Sequence, residues 1–243
     1  MKNKDKIHKI PTLPDVVKYK YVCNYVYGLS SIPIGIEKNE LNICSCDFTS
    51  NIGSIITSNK LSNTTRFVQS LIELFSKING MNIITFDVSG SLNLDKSKYP
   101  NYFTTNLETS LQSVNSFIDN TSNFRECVIL INGVDKFLNK IGNKQLFENL
   151  FEIAKKQEHI SIIVIEDVVK FRKYSFDPWF TANFNTSEGI WVGRGISDQS
   201  LIHLGSITKE MLQDIKNDMG YYVSEGVATL VKYIDFMEDE DEK

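Results

Sequence analysis

The stretch NIGSIITSNKLSNTTRFVQSLIELF, residues 51–75, decides the fold of this chain. Residues 51–57 form an apolar run that ends in small and polar residues, which is typical of a buried strand. From about Thr64 the apolar residues recur at helical spacing, and Asn79 and Gly80 end that pattern. The sequence therefore predicts a strand, a polar turn and a helix in direct succession.

Further apolar runs alternate with helical patterns along the chain. Predicted strands cover residues 81–87, 127–131 and 160–165, and predicted helices cover residues 107–119 and 144–156. Because these strands are apolar on both faces and separated by helices, they indicate a mainly parallel sheet with helices on both faces. Shorter β-like runs lie at residues 34–36, 41–44, 189–193, 219–223 and 227–233. We expect the last three runs to extend the sheet at an edge, within one α/β domain.

The composition is that of a soluble globular protein. The 243 residues are 42% hydrophobic and 23% charged, and 26 Lys and Arg against 30 Asp and Glu give a net charge of −4. That balance argues against a domain held on nucleic acid by a basic field. The longest apolar run, residues 127–131, is too short to span a bilayer, and the Lys-rich start lacks the apolar segment of a signal peptide.

Three regions are predicted along the chain. Two prolines within the run IPTLP indicate an extended leader over residues 1–20. The domain itself is predicted over residues 21–237. The acidic end, residues 238–243, is expected to be a solvated, disordered tail.

The cysteines predict no metal centre. Four cysteines in a chain of this length are too few for a disulfide scaffold and indicate reduced thiols in a cytoplasmic protein. Cys44 and Cys46 stand two residues apart in an alternating strand pattern, and no second Cys or His pair has matching spacing. We interpret this pair as strand packing and predict no metal ligands.

The turn after the first predicted strand lies where a nucleotide phosphate binds in such folds, because the helix N-terminus offers unpaired N–H groups. The working motif there is G-x-x-x-x-G-K-[ST]. Ser58 and Asn63 stand in place of the two glycines, and Thr64 stands in place of the lysine. Asn63 is expected to preserve the loop shape, since asparagine tolerates the left-handed conformation better than most residues. Only Thr65, the hydroxyl on the magnesium side, fits, and Lys60 lies too early to replace the lysine. We predict that this loop does not bind ATP.

The second half of an ATP site is an apolar strand followed by acidic groups that hold magnesium and activate water. Residues 128–131 are that strand, but Asn132 and Gly133 follow it. Asp135 belongs to the following turn and is not expected to act as a substitute base. Because both half-sites lack their charged groups, we predict no catalytic residues and no ATP or magnesium cofactor for this domain. A working ATPase with a non-standard loop remains the alternative.

These two segments resemble the P-loop and the acidic strand of FtsK/SpoIIIE-type motor ATPases. Three further runs make the resemblance more specific: IPTLP at residues 10–14, IPIGI at 32–36 and GIWVGRGISDQ at 189–199. Together they are similar to the C-terminal ATPase domain of EssC-like motors of the type VIIb secretion system. The resemblance covers nearly the whole chain and implies a RecA-like P-loop fold.

The resemblance also implies a role. EssC-like proteins are membrane motors, so this chain would be their last module, on the cytoplasmic side, attached to the membrane only through the full-length protein. Its expected partners are secreted proteins of the WXG100 and related classes and the adjacent ATPase modules of the same chain, which would hold the ATP and magnesium. A hexameric motor with a monomeric isolated fragment, and Lys243 as the natural C-terminus, are further expectations. A DNA-translocase module is a second alternative, which the net charge disfavours.

Two further features leave alternatives open. Trp179 and Phe180, in the run FDPWF, are candidate partner-binding residues if they form an exposed anchor, and core residues if they pack a loop onto the domain. Arg194, between two glycines, has the residue type of an arginine finger acting on the nucleotide of a neighbouring module.

Overall fold

The computed structural model of the chain describes residues 12–120, 126–157 and 159–236. The start of the predicted leader and the predicted acidic tail lie outside these ranges. The strands are β1 Ile32–Glu37, β2 Ile43–Cys46, β3 Gly53–Ser58, β4 Met81–Asp87, β5 Tyr102–Phe103, β6 Glu126–Asn132, β7 Ile160–Asp167, β8 Gly189–Val192, β9 Met219–Ser224 and β10 Val227–Tyr233. The helices are α1 Tyr19–Val22, α2 Thr65–Ser76, α3 Leu107–Asn120, α4 Val134–Ile141, α5 Lys144–Ala154, α6 Val168–Phe171 and α7 Pro178–Thr181.

The opening stretch forms the strand, turn and helix that the sequence predicts, as β3 and α2. The helix stops before Gly80, whose φ of +83° favours glycine and turns the chain into β4. β4, β6, β7, α3 and α5 begin and end within two residues of their predicted limits. β5, α6 and α7 have two to four residues each and were not predicted, because such short elements carry no measurable periodicity.

Among the described residues, ten strands form one sheet in the order β2-β1-β10-β9-β8-β3-β7-β6-β4-β5. The strands from β8 to β5 in this order run parallel to their neighbours. β9, β10, β1 and β2 add an antiparallel block beside β8. The late strands thus extend the sheet on one side, as predicted, and β1 and β2 continue that extension outward.

The core is divided between the two faces of the sheet. Along β6, Ile129 and Ile131 pack into one buried apolar cluster, whereas Val128 and Leu130 pack into the other. The first cluster includes residues of α3, α4 and α5, and the second includes the buried face of α2. Since successive side chains of a strand point to opposite faces, helices cover both sides of the sheet, as the apolar strands predicted.

The end of the predicted leader packs against the domain. Val17 is fully buried and forms a parallel bridge with Ile234. The backbone N–H of Asp235 donates to the carbonyl of Val17 at 3.0 Å. The short helix α1 begins at Tyr19, inside the segment that the sequence predicted to be extended. The chain is therefore already joined to the sheet a few residues before the predicted start of the domain.

Candidate functional site

Four neighbouring parallel strands end at the same edge of the sheet, and their last residues define the candidate site. Ser58 of β3 pairs with Asp167 of β7, and Asn132 of β6 pairs with Asp87 of β4. The degenerate loop follows the first of these strands, and the predicted acidic half-site follows the third. Ligands of open parallel sheets bind at such carboxyl ends, so the two half-sites meet where a nucleotide would lie.

The degenerate loop, residues 58–65, folds as a short helical turn. Leu61–Asn63 is a 3-10 helix and α2 begins at Thr65. None of these residues, all of which the structure describes, has a positive φ. The expectation that Asn63 preserves a glycine-like, left-handed loop is therefore wrong: Asn63 takes part in a right-handed turn instead, which asparagine adopts without strain.

The polar groups of this loop bond to one another. The Ser58 hydroxyl is buried, donates to the carbonyl of Lys60 and accepts from the N–H of Lys60 at 3.1 Å. The N–H of Asn63 donates to the Lys60 carbonyl at 2.9 Å, and the N–H of Thr64 donates to the Leu61 carbonyl at 3.0 Å. These three N–H groups are thus directed at the loop itself, whereas a phosphate cradle directs its N–H groups at the ligand.

Side chains also fill the inner side of the loop, which faces the second half-site. Thr64, at the lysine position, is fully buried, and its hydroxyl donates to the Leu61 carbonyl at 2.8 Å. Leu61 reaches across to the second half-site, where its Cδ2 would lie 3.5 Å from a Cβ added to Gly133. Thr65, the only residue that fits the motif, is half-buried at the first turn of α2. A threonine and a leucine thus occupy the side of the loop that faces β6.

Asn132 is held in a buried polar network. Its side-chain N–H groups donate to Asp87 Oδ1 at 2.9 Å and to the Ser91 hydroxyl oxygen at 3.0 Å. Asp87 is itself fully buried and also accepts from the Leu92 N–H at 2.8 Å and the Tyr102 hydroxyl at 2.9 Å. Burial and the bond to Asp87 raise the pKa of Tyr102, which keeps it a donor. The side-chain amide of Asn132 is therefore a hydrogen-bond donor to Asp87, the buried carboxylate of the neighbouring strand.

Glu166 is a buried carboxylate at this edge that sequence reasoning missed. It is the second-last residue of β7, which lies between the two half-sites, and it is 1% exposed. Its carboxylate accepts from the N–H of Asp135 at 3.0 Å and of Asp167 at 2.9 Å. Burial raises the pKa of Glu166, although these hydrogen bonds and Lys170 oppose the shift. An acidic pair directly after an apolar strand was the available signal.

Asp135 lies in the first turn of α4 and not in a turn after β6, which corrects the sequence-based placement. Its Oδ1 accepts from the Tyr174 hydroxyl at 2.9 Å and the Lys173 ammonium at 3.2 Å. Burial opposes the charge of Asp135, but these bonds outweigh burial and lower the pKa of the carboxyl. The carboxylate is thus bonded to two donors of the segment after β7. That Asp135 does not act as a substitute base stays a prediction.

Arg194 lies beside the degenerate loop of its own chain. Its carbonyl accepts from the Asn59 side-chain amide at 3.0 Å, which joins the loop to the Gly193–Gly195 turn. Its guanidinium pairs with Asp214 at 3.1 Å, and both side chains are largely exposed. The role of Arg194 as an arginine finger on a neighbouring module stays a prediction.

Trp179 and Phe180 are buried, at 4% and 1% exposure. Trp179 packs against Phe147 and Phe151 with ring centroids 5.0 and 6.1 Å apart, and Phe180 stacks on Phe184 at 5.1 Å. The interpretation of this pair as an exposed anchor is therefore wrong, and the packing alternative holds. The cause is α7, whose single turn directs both rings into the core.

Cys44 and Cys46 lie in β2 with buried side chains. Burial raises the pKa of Cys44 to about 12 and that of Cys46 further, so both thiols stay protonated. Among the described residues, no group of three or more His, Cys, Asp and Glu side chains could hold a metal ion. The strand-packing interpretation of this pair accounts for both thiols.

The sheet is mostly parallel, helices cover both of its faces, and its central strand β3 runs into a loop and a helix at the carboxyl edge. P-loop proteins place their phosphate loop in the same strand–loop–helix arrangement. Searches of protein-family models and of curated proteins find no match.

A comparison with solved structures finds proteins with a similar fold. The cytoplasmic domain of EssC matches with a TM-score of 0.66 at 17% identity, over 93% of this chain and 48% of that chain. Thermomonospora curvata EccC (ATPases 2 and 3), in complex with a signal sequence peptide, matches at 0.68 and 14% identity, over 93% and 44%. EssC (ATPases 2 and 3) from Geobacillus thermodenitrificans matches at 0.65 and 18% identity, over 93% and 46%.

The fold is thus similar to that of the cytoplasmic ATPase domains of EssC and EccC. This chain spans less than half the length of these three structures. In the described part of the chain, no helix combines the length and the apolar character that crossing a bilayer requires.

Proposed function

We propose that this chain is a module of an EssC/EccC-type motor of type VII secretion that neither binds nor hydrolyses ATP itself. It acts in recognition of secreted substrate proteins and in regulation of the motor, on the cytoplasmic side of the membrane. The similarity of its fold to EssC and EccC ATPase domains supports the assignment to type VII secretion. The adjacent modules of a longer chain are its proposed neighbours and carry the ATP and magnesium.

The observation that carries the proposed loss of ATP binding is the self-bonded loop. The N–H groups of Lys60, Asn63 and Thr64 bond to acceptors within the loop, and a buried threonine replaces the lysine. A lysine–phosphate contact contributes about 1.5–3 kcal/mol. In the opposite half-site, the side-chain amide of Asn132 donates to Asp87, at the position where an active site would have a carboxylate that holds magnesium. Binding a triphosphate inside the loop would therefore require rebuilding the loop without the lysine that the motif places at position 64.

The proposed substrate role draws on one of the similar structures. The Thermomonospora curvata EccC structure contains a signal sequence peptide. By analogy, a segment of a secreted WXG100-type protein is the proposed ligand of this chain. Regulation then requires two arrangements of this module against its neighbours with different affinities for that segment, because a ligand shifts an equilibrium only by its differential affinity.

Calorimetry with Mg-ATP tests the first part of the proposal. We expect no phosphate release from the chain and no binding of Mg-ATP that depends on Thr65 inside the loop. Micromolar binding that Thr65→Ala abolishes and Lys216→Gln leaves unchanged would contradict the proposal and support the alternative of an active ATPase with a non-standard loop. Salt-dependent binding of duplex DNA would instead support a translocase module.

A pull-down of WXG100-type secreted proteins tests the second part. Phe176 is 91% exposed and Val169, on the same segment after β7, is 70% exposed, so these two apolar side chains are the first positions to change. We expect retention by the unaltered chain, reduced retention by Phe176→Ala, and no change for the matched control Val227→Ala, a 68% exposed position on β10. Failure of the unaltered chain to retain any of these proteins contradicts the recognition role.

A further inference from the structure

The outer side of the degenerate loop carries positive charge although the chain as a whole is acidic. An open cavity of about 680 Å³ lies between this loop and the segment that precedes β9. Three cationic side chains and a single carboxylate are among its lining residues, which are Asn59, Lys60, Asn63, Arg194, Asp214, Ile215, Lys216 and Asn217. The volume is within the range of about 300–1,000 Å³ that is typical of small-molecule sites.

The cations of this cavity are available to a ligand. Among the described residues, the ammonium groups of Lys60 and Lys216 form no ion pair. Arg194 pairs with Asp214, but their side chains are 69% and 85% exposed. An exposed pair of this kind contributes little, so the guanidinium can turn to a bound anion at small cost.

Two side-chain amides add uncharged donors between these cations. A Cβ added to Gly193 would lie 3.9 Å from Asn63 Nδ2 and 3.7 Å from Asn217 Oδ1, so both amides border the same point. Within the described ranges, neither amide forms a hydrogen bond. The Asn59 amide, by contrast, is bonded to the Arg194 carbonyl and holds the Gly193–Gly195 turn against the loop.

We propose that this cavity binds a phosphate-bearing small molecule, held by Lys60, Lys216 and Arg194 and oriented by the amides of Asn63 and Asn217. The site lies beside the loop and not inside it. Lys60 is the third residue of the loop, Arg194 lies in the turn after β8, and Lys216 lies in the segment before β9. The buried Thr64 takes no part. A polyanion matches three cations better than a single carboxylate does, and planar or multidentate oxygen groups suit the arginine.

Calorimetry of the whole chain with sodium pyrophosphate, without magnesium and at fixed ionic strength, tests this proposal. We expect saturable binding, weakened about tenfold by Lys60→Gln and by Lys216→Gln, since each removes one charge-assisted contact. Lys209→Gln is the matched control, because Lys209 is exposed in the same segment but does not line the cavity. Thermal unfolding without ligand checks that all variants remain folded.

The following results overturn the proposal. Absence of saturable pyrophosphate binding does so directly. An equal loss of affinity in Lys209→Gln and Lys216→Gln would show that only the net charge of the chain matters and not the cavity. Citrate that binds as tightly as pyrophosphate would show that the cavity does not prefer phosphate groups. Loss of binding in Thr65→Ala with no effect of Lys216→Gln places the anion inside the loop, against the proposed position.

Discussion

The side-chain amide of Asn132 donates a 2.9 Å hydrogen bond to Oδ1 of Asp87, across the pairing of β6 with β4. Both residues are buried, and Asp87 collects further donors from Ser89, Leu92 and Tyr102. A carboxylate at position 132 would stand against this carboxylate. The last residue of β6 is thus a donor to a buried carboxylate of the neighbouring strand.

The first prediction concerns restoring the acidic residue. Asn132→Asp replaces the donor by a second carboxylate and leaves Asp87 with one partner fewer, so we expect a loss of about 1–3 kcal/mol in the free energy of unfolding near pH 7. The loss should shrink as the pH falls. A carboxyl at position 132 faces the carboxylate of Asp87, which raises its pKa in the folded state. Its penalty is therefore complete above that raised pKa, declines as the pH falls below it, and is lost below the ordinary pKa of an aspartate. Urea denaturation at several pH values measures both effects.

Asn149→Asp is the control for this charge change, because Asn149 is exposed on α5. We expect the control to change stability by less than about 0.5 kcal/mol. Unchanged stability of Asn132→Asp, or a loss that grows on acidification, would show that the amide does not serve Asp87.

The second prediction concerns Glu166. Burial raises its pKa above the ordinary value, so its ionisation works against the folded state. The contribution of Glu166 to stability is therefore complete below the ordinary pKa of a glutamate and declines as the pH rises through the raised value. We expect the stability of the unaltered chain, relative to Glu166→Gln, to fall as the pH is raised from about 4.3, the ordinary pKa of a glutamate. Denaturant titrations of both proteins at each pH measure this difference.

Glu40→Gln is the comparison variant, because Glu40 is exposed between β1 and β2. Its difference from the unaltered chain should stay nearly constant over the same pH interval. A stability difference for Glu166→Gln that rises with pH would mean that the hydrogen bonds from Asp135 and Asp167 outweigh burial.

The third prediction separates the buried from the exposed aromatic residues of the FDPWF run. Trp179→Ala removes a ring packed against Phe147 and Phe151, and we expect it to cost about 3–5 kcal/mol of unfolding free energy. Phe176→Ala truncates a 91% exposed side chain and should change stability by less than about 0.5 kcal/mol. Equal losses in urea denaturation would contradict the burial that the structure assigns to Trp179. Only Phe176→Ala is therefore suited to testing partner binding.

Much of the fold was predictable because the buried residues of long strands and helices recur with a regular spacing in the sequence. β7 is apolar over residues 160–165, and α2 repeats its apolar residues at helical spacing, so both were located from the sequence. α7 has only four residues, and its burial depends on the rings of α5 that it meets. The exposed-anchor interpretation of Trp179 and Phe180 failed for that reason.

In the candidate site, too, some residues could be predicted from the sequence and others could not. Motif spacing located Ser58, Asn63, Thr64 and Thr65 and the neutral pair Asn132 and Gly133, and the structure places both groups at one edge. The partners of these residues had no such signal. Asp87 is 45 residues away from Asn132, and Arg194 is 135 residues away from Asn59.

By itself, the sequence determined the longer strands and helices and the residue types at the motif positions of the two half-sites, since both are local properties of residue type and spacing. The tertiary structure alone decided which groups surround these positions: Asp87 and Ser91 around Asn132, Glu166 between the half-sites, and Lys216 beside the loop. The physical reason is the strand order of the sheet. Hydrogen bonds and charges act over a few ångströms, and segments far apart in the chain come within that distance only once the sheet has set their neighbours.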